Sequence, residues 1–341
     1  MASALPPVRA IRGPAAARPL LAALLVALGG CASRPPATVP AAAATTAVAP
    51  GAAAPATTAP VPAAGSAAGP AAESAAAAAP TAASTARERE TADIRRHHLQ
   101  RLDDKLASTA QALQESCRYE SDIATRPPKG RVALTFDDGP EPGQTEHILS
   151  VLQKYDIPAV FFMVGAKMQR YPELVAKVRA SGRQIIGNHS WDHPNFHDIA
   201  PAQQAQEVLR EEPLLAGAGG QIGAKVFRYP FGNASCETNA LVRARGYKIV
   251  GWHIDSCDWA FERTGSVDFK EATSCGVAAQ YHGDYVGHVV SAVRARNGGI
   301  VLMHEIHPKT VARLEEIVLQ IRGEGFAFGT VLDEDFQDSL R

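Results

Sequence analysis

Aromatic side chains are scarce in this 341-residue chain, at 3 Trp, 7 Tyr and 11 Phe, and none falls between residues 41 and 85. That stretch also lacks Leu, Ile and Met, being almost entirely Ala, Pro, Thr, Ser, Gly and Val. It cannot bury enough apolar surface to offset chain entropy, so any packed core must lie after residue 85. Enough chain remains there for one sizeable domain. An excess of either charge is missing too: 34 Lys and Arg face 35 Asp and Glu, a net charge of −1. Residues 1–85, with four Arg and one Glu, sum to +3 and leave −4 for the rest. Neither part has the basic surplus of a nucleic-acid binder, and no such partner is expected. The apolar run 20–28 is roughly half the length of a membrane-spanning helix. Solenoid-period repeats are absent. Five cysteines without a CxxC spacing exclude a zinc finger.

Arg9, Arg12 and Arg18 precede the run 20–28, the order of a secretory signal, here residues 1–30. The run closes in Leu28, Gly29, Gly30 and Cys31, which resembles a bacterial lipobox. That resemblance implies acylation of Cys31 and a membrane held through an N-terminal lipid. Ala32, in place of Asp, resembles the outer-membrane sorting pattern of Gram-negative lipoproteins. The expected location is therefore the bacterial outer membrane, facing periplasm or cell surface. Residues 31–85 then read as an extended tether with polyproline II character near its prolines. Residues 86–129 read as a helical extension, in which Ile94, Leu99, Leu102, Leu106 and Leu113 form a partial apolar stripe. His97 and His98 are expected on its solvated face.

From residue 130 to 341 short apolar runs alternate with amphipathic segments. The runs cover 132–136, 159–164, 184–188, 225–229, 248–254, 299–304 and 326–332, with Gly182, Gly246, Gly298 and Gly325 placed as helix stops. This alternation predicts an α/β fold, a distorted (β/α) barrel of about seven parallel strands. Parallel strand ends share one face, so polar residues that close successive runs converge there.

The first run ends in TFDDGP, residues 135–140. Adjacent carboxylates leaving a buried strand repel and resist desolvation, which a cation beside them relieves. Strand alternation gives Asp137 and Asp138 different partners unless the turn begins between them. The third run ends in NHSWDHP, where His189 and His193 lie four apart, so that one helical turn points both imidazoles at a common metal. Later runs close in RYPFG, DSCDW and LMH. Arg228 at such an end holds a neighbouring carboxylate ionised, and an Asp near His304 raises the imidazole and fixes its tautomer.

TFDDGP, HSWDH, RYPF, DSCDW and LMH, in this order, resemble the five motifs of the polysaccharide deacetylase family (NodB homology, carbohydrate esterase family 4). The resemblance covers about 130–335. It implies Asp137 as general base; Asp138, His189 and His193 as ligands of one divalent metal, usually zinc, with cobalt or nickel also suited; and Arg228 orienting Asp137. It implies the Phe231 backbone N–H in an oxyanion hole, His304 as general acid tuned by Asp258, and Trp259 lining the substrate groove. The implied activity is hydrolysis of N-acetyl groups on an N-acetylglucosamine polymer, peptidoglycan or a chitin-like glycan, by a monomer. An O-acetyl (xylan) esterase and an inactive carbohydrate-binding lipoprotein are the alternatives. Residues 256–284 read as a long ordered loop forming part of the groove wall. Cys257 and Cys275 flank it and are expected to pair, leaving Cys117 with Cys236.

Overall fold

Alternation along the first strand sets the architecture. In β1 (Arg131–Gly139), Val132, Leu134 and Phe136 join the apolar layer beneath the helices, while Ala133 faces the second cluster, inside the curled sheet. Thr135 and Asp137 continue that inner row by the period of two. The computed structural model describes residues 82–216 and 224–341; the signal, Cys31 and the tether up to residue 81 lie outside them.

The remaining strands are β2 (Val160–Met163), β3 (Ile185–Asn188), β4 (Val226–Phe227), β5 (Lys248–Ile249), β6 (Ile254–Asp255), β7 (Gly298–His304) and β8 (Ala327–Gly329). Their pairings are all parallel, in the order β5-β4-β3-β2-β1-β7-β6. Seven strands thus make the curled half-barrel that the alternation predicts. β8 lies off this path, paired to residues 131–133 of β1. The run at 248–254 does not form one strand, as expected from its apolarity, but two. Gly251 explains the break: a Cβ there would fall 2.1 Å from the Ser121 carbonyl oxygen. Residues 121–123 occupy this seam, with Trp252 N–H donating to Ser121 O and Ile123 N–H to Trp252 O.

Residues 256–284 are likewise not a loop. They fold into helices Asp258–Thr264 and Phe269–Cys275, the second started by Asp268, whose carboxylate accepts the Glu271 N–H. Both disulfides pair as expected, Cys257 with Cys275 and Cys117 with Cys236. The N-terminal extension begins with helix α1 (Ala82–Ala107). Its His97 and His98 are 6% and 1% exposed, contrary to the solvated face expected of them.

Candidate metal centre and active site

A bulge answers the question of the paired carboxylates. In the β1–β2 register Asp137 opposes Phe162 and Gly139 opposes Met163, leaving Asp138 as the extra residue, at φ 71°. The added residue cancels strand alternation, so both carboxylates reach the same cavity. Gly139 follows because Glu305 fills the adjoining space: a Cβ there would lie 1.8 Å from Glu305 Oε1.

His189 and His193 do not share a helical turn. They sit in a bend after β3, shaped by left-handed residues Ser190 (φ 71°) and His193 (φ 56°). The bend brings His193 Nε2 to 3.0 Å and His189 Nε2 to 3.3 Å from Asp138 Oδ1. His189 Nδ1 lies 2.8 Å from the Arg228 carbonyl, which only accepts, so Nδ1 carries the proton and the Nε2 lone pair points at Asp138. Both Asp138 oxygens are buried without a hydrogen bond. Ion-pair distances without hydrogen bonds are what ligand atoms show when they converge on a common point. One carboxylate and two imidazoles, that of His189 with its tautomer fixed, fit a divalent cation such as zinc.

Arg228 is fully buried between Asp137 and the seam. It donates to Asp137 Oδ1 (2.8 Å), Thr135 Oγ1 (2.7 Å), Val250 O (3.0 Å) and Gly251 O (2.9 Å), with its guanidinium 4.3 Å from the Phe162 ring centroid. Three of these bonds fix the guanidinium, which then holds Asp137 through the fourth. Across the site, β7 sets His304 opposite Asp137 in register. His304 Nδ1 bonds Asp258 Oδ1 at 2.7 Å, and the His304 N–H donates to Asp258 Oδ2 at 2.6 Å, which leaves Nε2 as the exchangeable nitrogen. Burial pulls the imidazolium down, but Asp258, aided by Asp138 and Asp137, raises it to about 10.

Phe231 follows β4 in a tight turn, itself left-handed at φ 58°. Trp259 is placed beside the site but has no exposed surface: the His98 ring stacks on it with centroids 4.7 Å apart and planes at 18°. His97 packs on Phe231 at 4.3 Å, and Arg101 donates to the Phe231 carbonyl at 2.8 Å.

Three buried groups carried no strand-end signal in the sequence. Glu211 accepts the His189 N–H at 3.2 Å, and burial raises its carboxyl well above the ordinary range despite that bond. Burial pushes Glu305, which accepts the Thr145 hydroxyl, up to about 8. His307 packs edge-on to His304 at 5.5 Å. The covering residues of α1 do leave a trace: Ile94, His98 and Arg101 follow helical spacing and share one face.

Residues 95–250 match the family described as polysaccharide deacetylase. Over 241 residues the chain is 28% identical to the peptidoglycan-N-acetylglucosamine deacetylase PgdA of Listeria monocytogenes, covering 70% of this chain and 46% of that protein. It thus spans about half the length of that relative. A peptidoglycan-N-acetylglucosamine deacetylase of Bacillus cereus is 32% identical over 214 residues, 59% of this chain and 85% of the relative. The solved peptidoglycan N-acetylglucosamine deacetylase Bc1960 shares the fold, with a TM-score of 0.51 and 23% identity over 67% of this chain and 97% of the solved one.

Proposed function

This chain belongs to the polysaccharide deacetylase family, and from that membership we propose that it is a metal-dependent hydrolase removing N-acetyl groups from an N-acetylglucosamine polymer, peptidoglycan first, with release of acetate. The observation that carries the reading is the β1–β7 register. It sets Asp137, held by Arg228, opposite His304, held by Asp258, in the cavity that Asp138, a buried carboxylate with no hydrogen bond, also lines.

Asp138, His189 and His193 would hold one divalent cation, zinc by ligand type. When bound, such a cation polarises the amide carbonyl and makes water a better nucleophile at neutral pH. Asp137 takes the proton of the attacking water, its carboxylate aimed by the Arg228 bond. The Phe231 N–H donates to the oxyanion as charge develops there. His304 gives its Nε2 proton to the departing amine, so the products are acetate and a glucosamine unit. Anchoring through Cys31 would place this chemistry at the outer membrane, facing the periplasm or the cell surface.

The test is acetate release, with and without chelator, from peptidoglycan, chitooligosaccharides and acetylxylan. Chelator-sensitive release from the N-acetylglucosamine polymers is expected. Release from acetylxylan alone would make the enzyme an O-acetyl esterase, and no release from any of the three would leave a binding protein.

A further inference from the structure

The groups that perform this chemistry are covered. α1 crosses the site with Ile94, His98 and Arg101 on its inner face, and the cavity left between it and the catalytic residues is about 10 Å³. That is room for one water or one ion. A sugar ring needs the space that His98 fills, since its imidazole lies face-on against Trp259 as a pyranose would. His304 is only 6% exposed beneath it.

We propose that α1 is an autoinhibitory plug, competing with the glycan for Trp259 and the catalytic cavity, and that substrate enters only when α1 lifts. The identity of the displaced ligand rests on the deacetylase reading; the occlusion itself does not.

What holds α1 favours reversible release. Its buried aliphatic side chains are Ile94 and Leu102, while Leu106 is 75% exposed. Leu99 packs partly buried on the same core, His97 and His98 make ring contacts, and the other contacts are polar. Arg101 ties the helix to Phe231 O and, at 3.4 Å, to Asp255. Toward the rim Arg95 pairs with Glu271 and Asp268, Lys105 with Asp122, and Asp103 with Lys270. Glu271 is buried, so its pair with Arg95 is the firmer tie; the more exposed pairs, Lys105–Asp122 and Asp103–Lys270, contribute little each and weaken with salt. If the competent state is a small fraction of molecules, apparent affinity falls by that fraction, so loosening α1 lowers KM more than it changes kcat.

The experiment compares the full chain with Arg101→Ala and His98→Ala, and wild type at low and high ionic strength. Two quantities are read: kcat and KM for acetate release from chitooligosaccharides, and hydroxyl-radical oxidation of Trp259 by mass spectrometry, with Trp191 as internal reference. The expected result is faster Trp259 oxidation in both variants and in high salt. kcat/KM should rise about tenfold in Arg101→Ala, chiefly through KM. The salt arm needs no variant, so a misfolded substitution does not end the test. Trp259 oxidation unchanged in all three conditions overturns the plug and makes α1 a fixed wall. Faster oxidation with kcat/KM unchanged or lower also overturns it, because opening would then admit no substrate. Absence of acetate release in every condition refutes the deacetylase reading instead, and Trp259 oxidation alone then decides the plug.

Discussion

The proposed function gives the neighbours Asp137 and Asp138 opposite tasks, and one backbone residue at φ 71° would make that division of labour possible. Because Asp137 is bonded by Arg228 and lies outside the ligand set, Asp137→Asn should keep metal and fold while losing at least about a hundredfold in kcat, the scale of general-base catalysis. Metal content by mass spectrometry beside turnover checks this; near-normal turnover with metal in place would show another base at work. As the proposed general acid, His304 would carry the pH dependence. Its imidazole is raised from 6.5 to about 10 with Asp258 as the leading raising partner, so it remains a proton donor up to that range. A cation on Asp138 cancels part of the raise. Asp258→Asn should therefore move the alkaline limb of kcat/KM to lower pH by about one unit or more. The same shift bears on stability. A folded-state value above the unfolded one stabilises fully below pH 6.5, and that contribution is lost as pH rises toward 10. An alkaline limb unmoved in Asp258→Asn would remove Asp258 from this role.

At the scale of elements, the parts written in side-chain period were legible and the parts set by close backbone approach were not. Val132, Leu134 and Phe136 alternate with Ala133, Thr135 and Asp137, so strand, inner face and the place of Asp137 all follow from period two. The division of the run at 248–254 depends on Ser121, more than a hundred residues away, whose carbonyl sits against Gly251. Periodicity within a window carries no such information. The bend that aims His193 uses left-handed non-glycine residues, which no propensity favours, and a helical turn was the natural expectation. In α1 the pattern misled for another reason: its buried face carries His98 and Arg101, and polar residues on a charged helix read as solvent-facing. The disulfides were legible as a pairing but not in their effect. Cys117–Cys236 closes a separation of 119 residues and Cys257–Cys275 one of 18. Chain-entropy scaling assigns roughly 5 and 3 kcal/mol respectively, so replacing the first pair by serines should lower the thermal midpoint more than replacing the second. Calorimetry on the two double variants decides this, and the reverse order would show that native-state contacts, not loop length, dominate.

For the whole molecule, the order of segments along the chain is itself an argument. A signal-like stretch, Cys31, residues without large apolar side chains, α1, and then the half-barrel put the proposed plug between the proposed anchor and the candidate site. We propose that residues 31–85 serve as the tether that their composition leads one to expect; random-coil scaling for about fifty residues gives a root-mean-square span of roughly 40 Å. On that proposal the domain that follows would reach a polymer lying beyond the membrane surface. If Cys31 carries the lipid, then Cys31→Ser, with the signal intact, should move the protein from the membrane fraction to the soluble fraction while leaving acetate release by the purified domain unchanged. Immunoblotting of the two fractions and the acetate assay read these separately. Wild type found in the soluble fraction would refute the anchor without touching the chemistry of the barrel, and loss of activity in Cys31→Ser would show instead that the N-terminal segment does more than hold the enzyme in place.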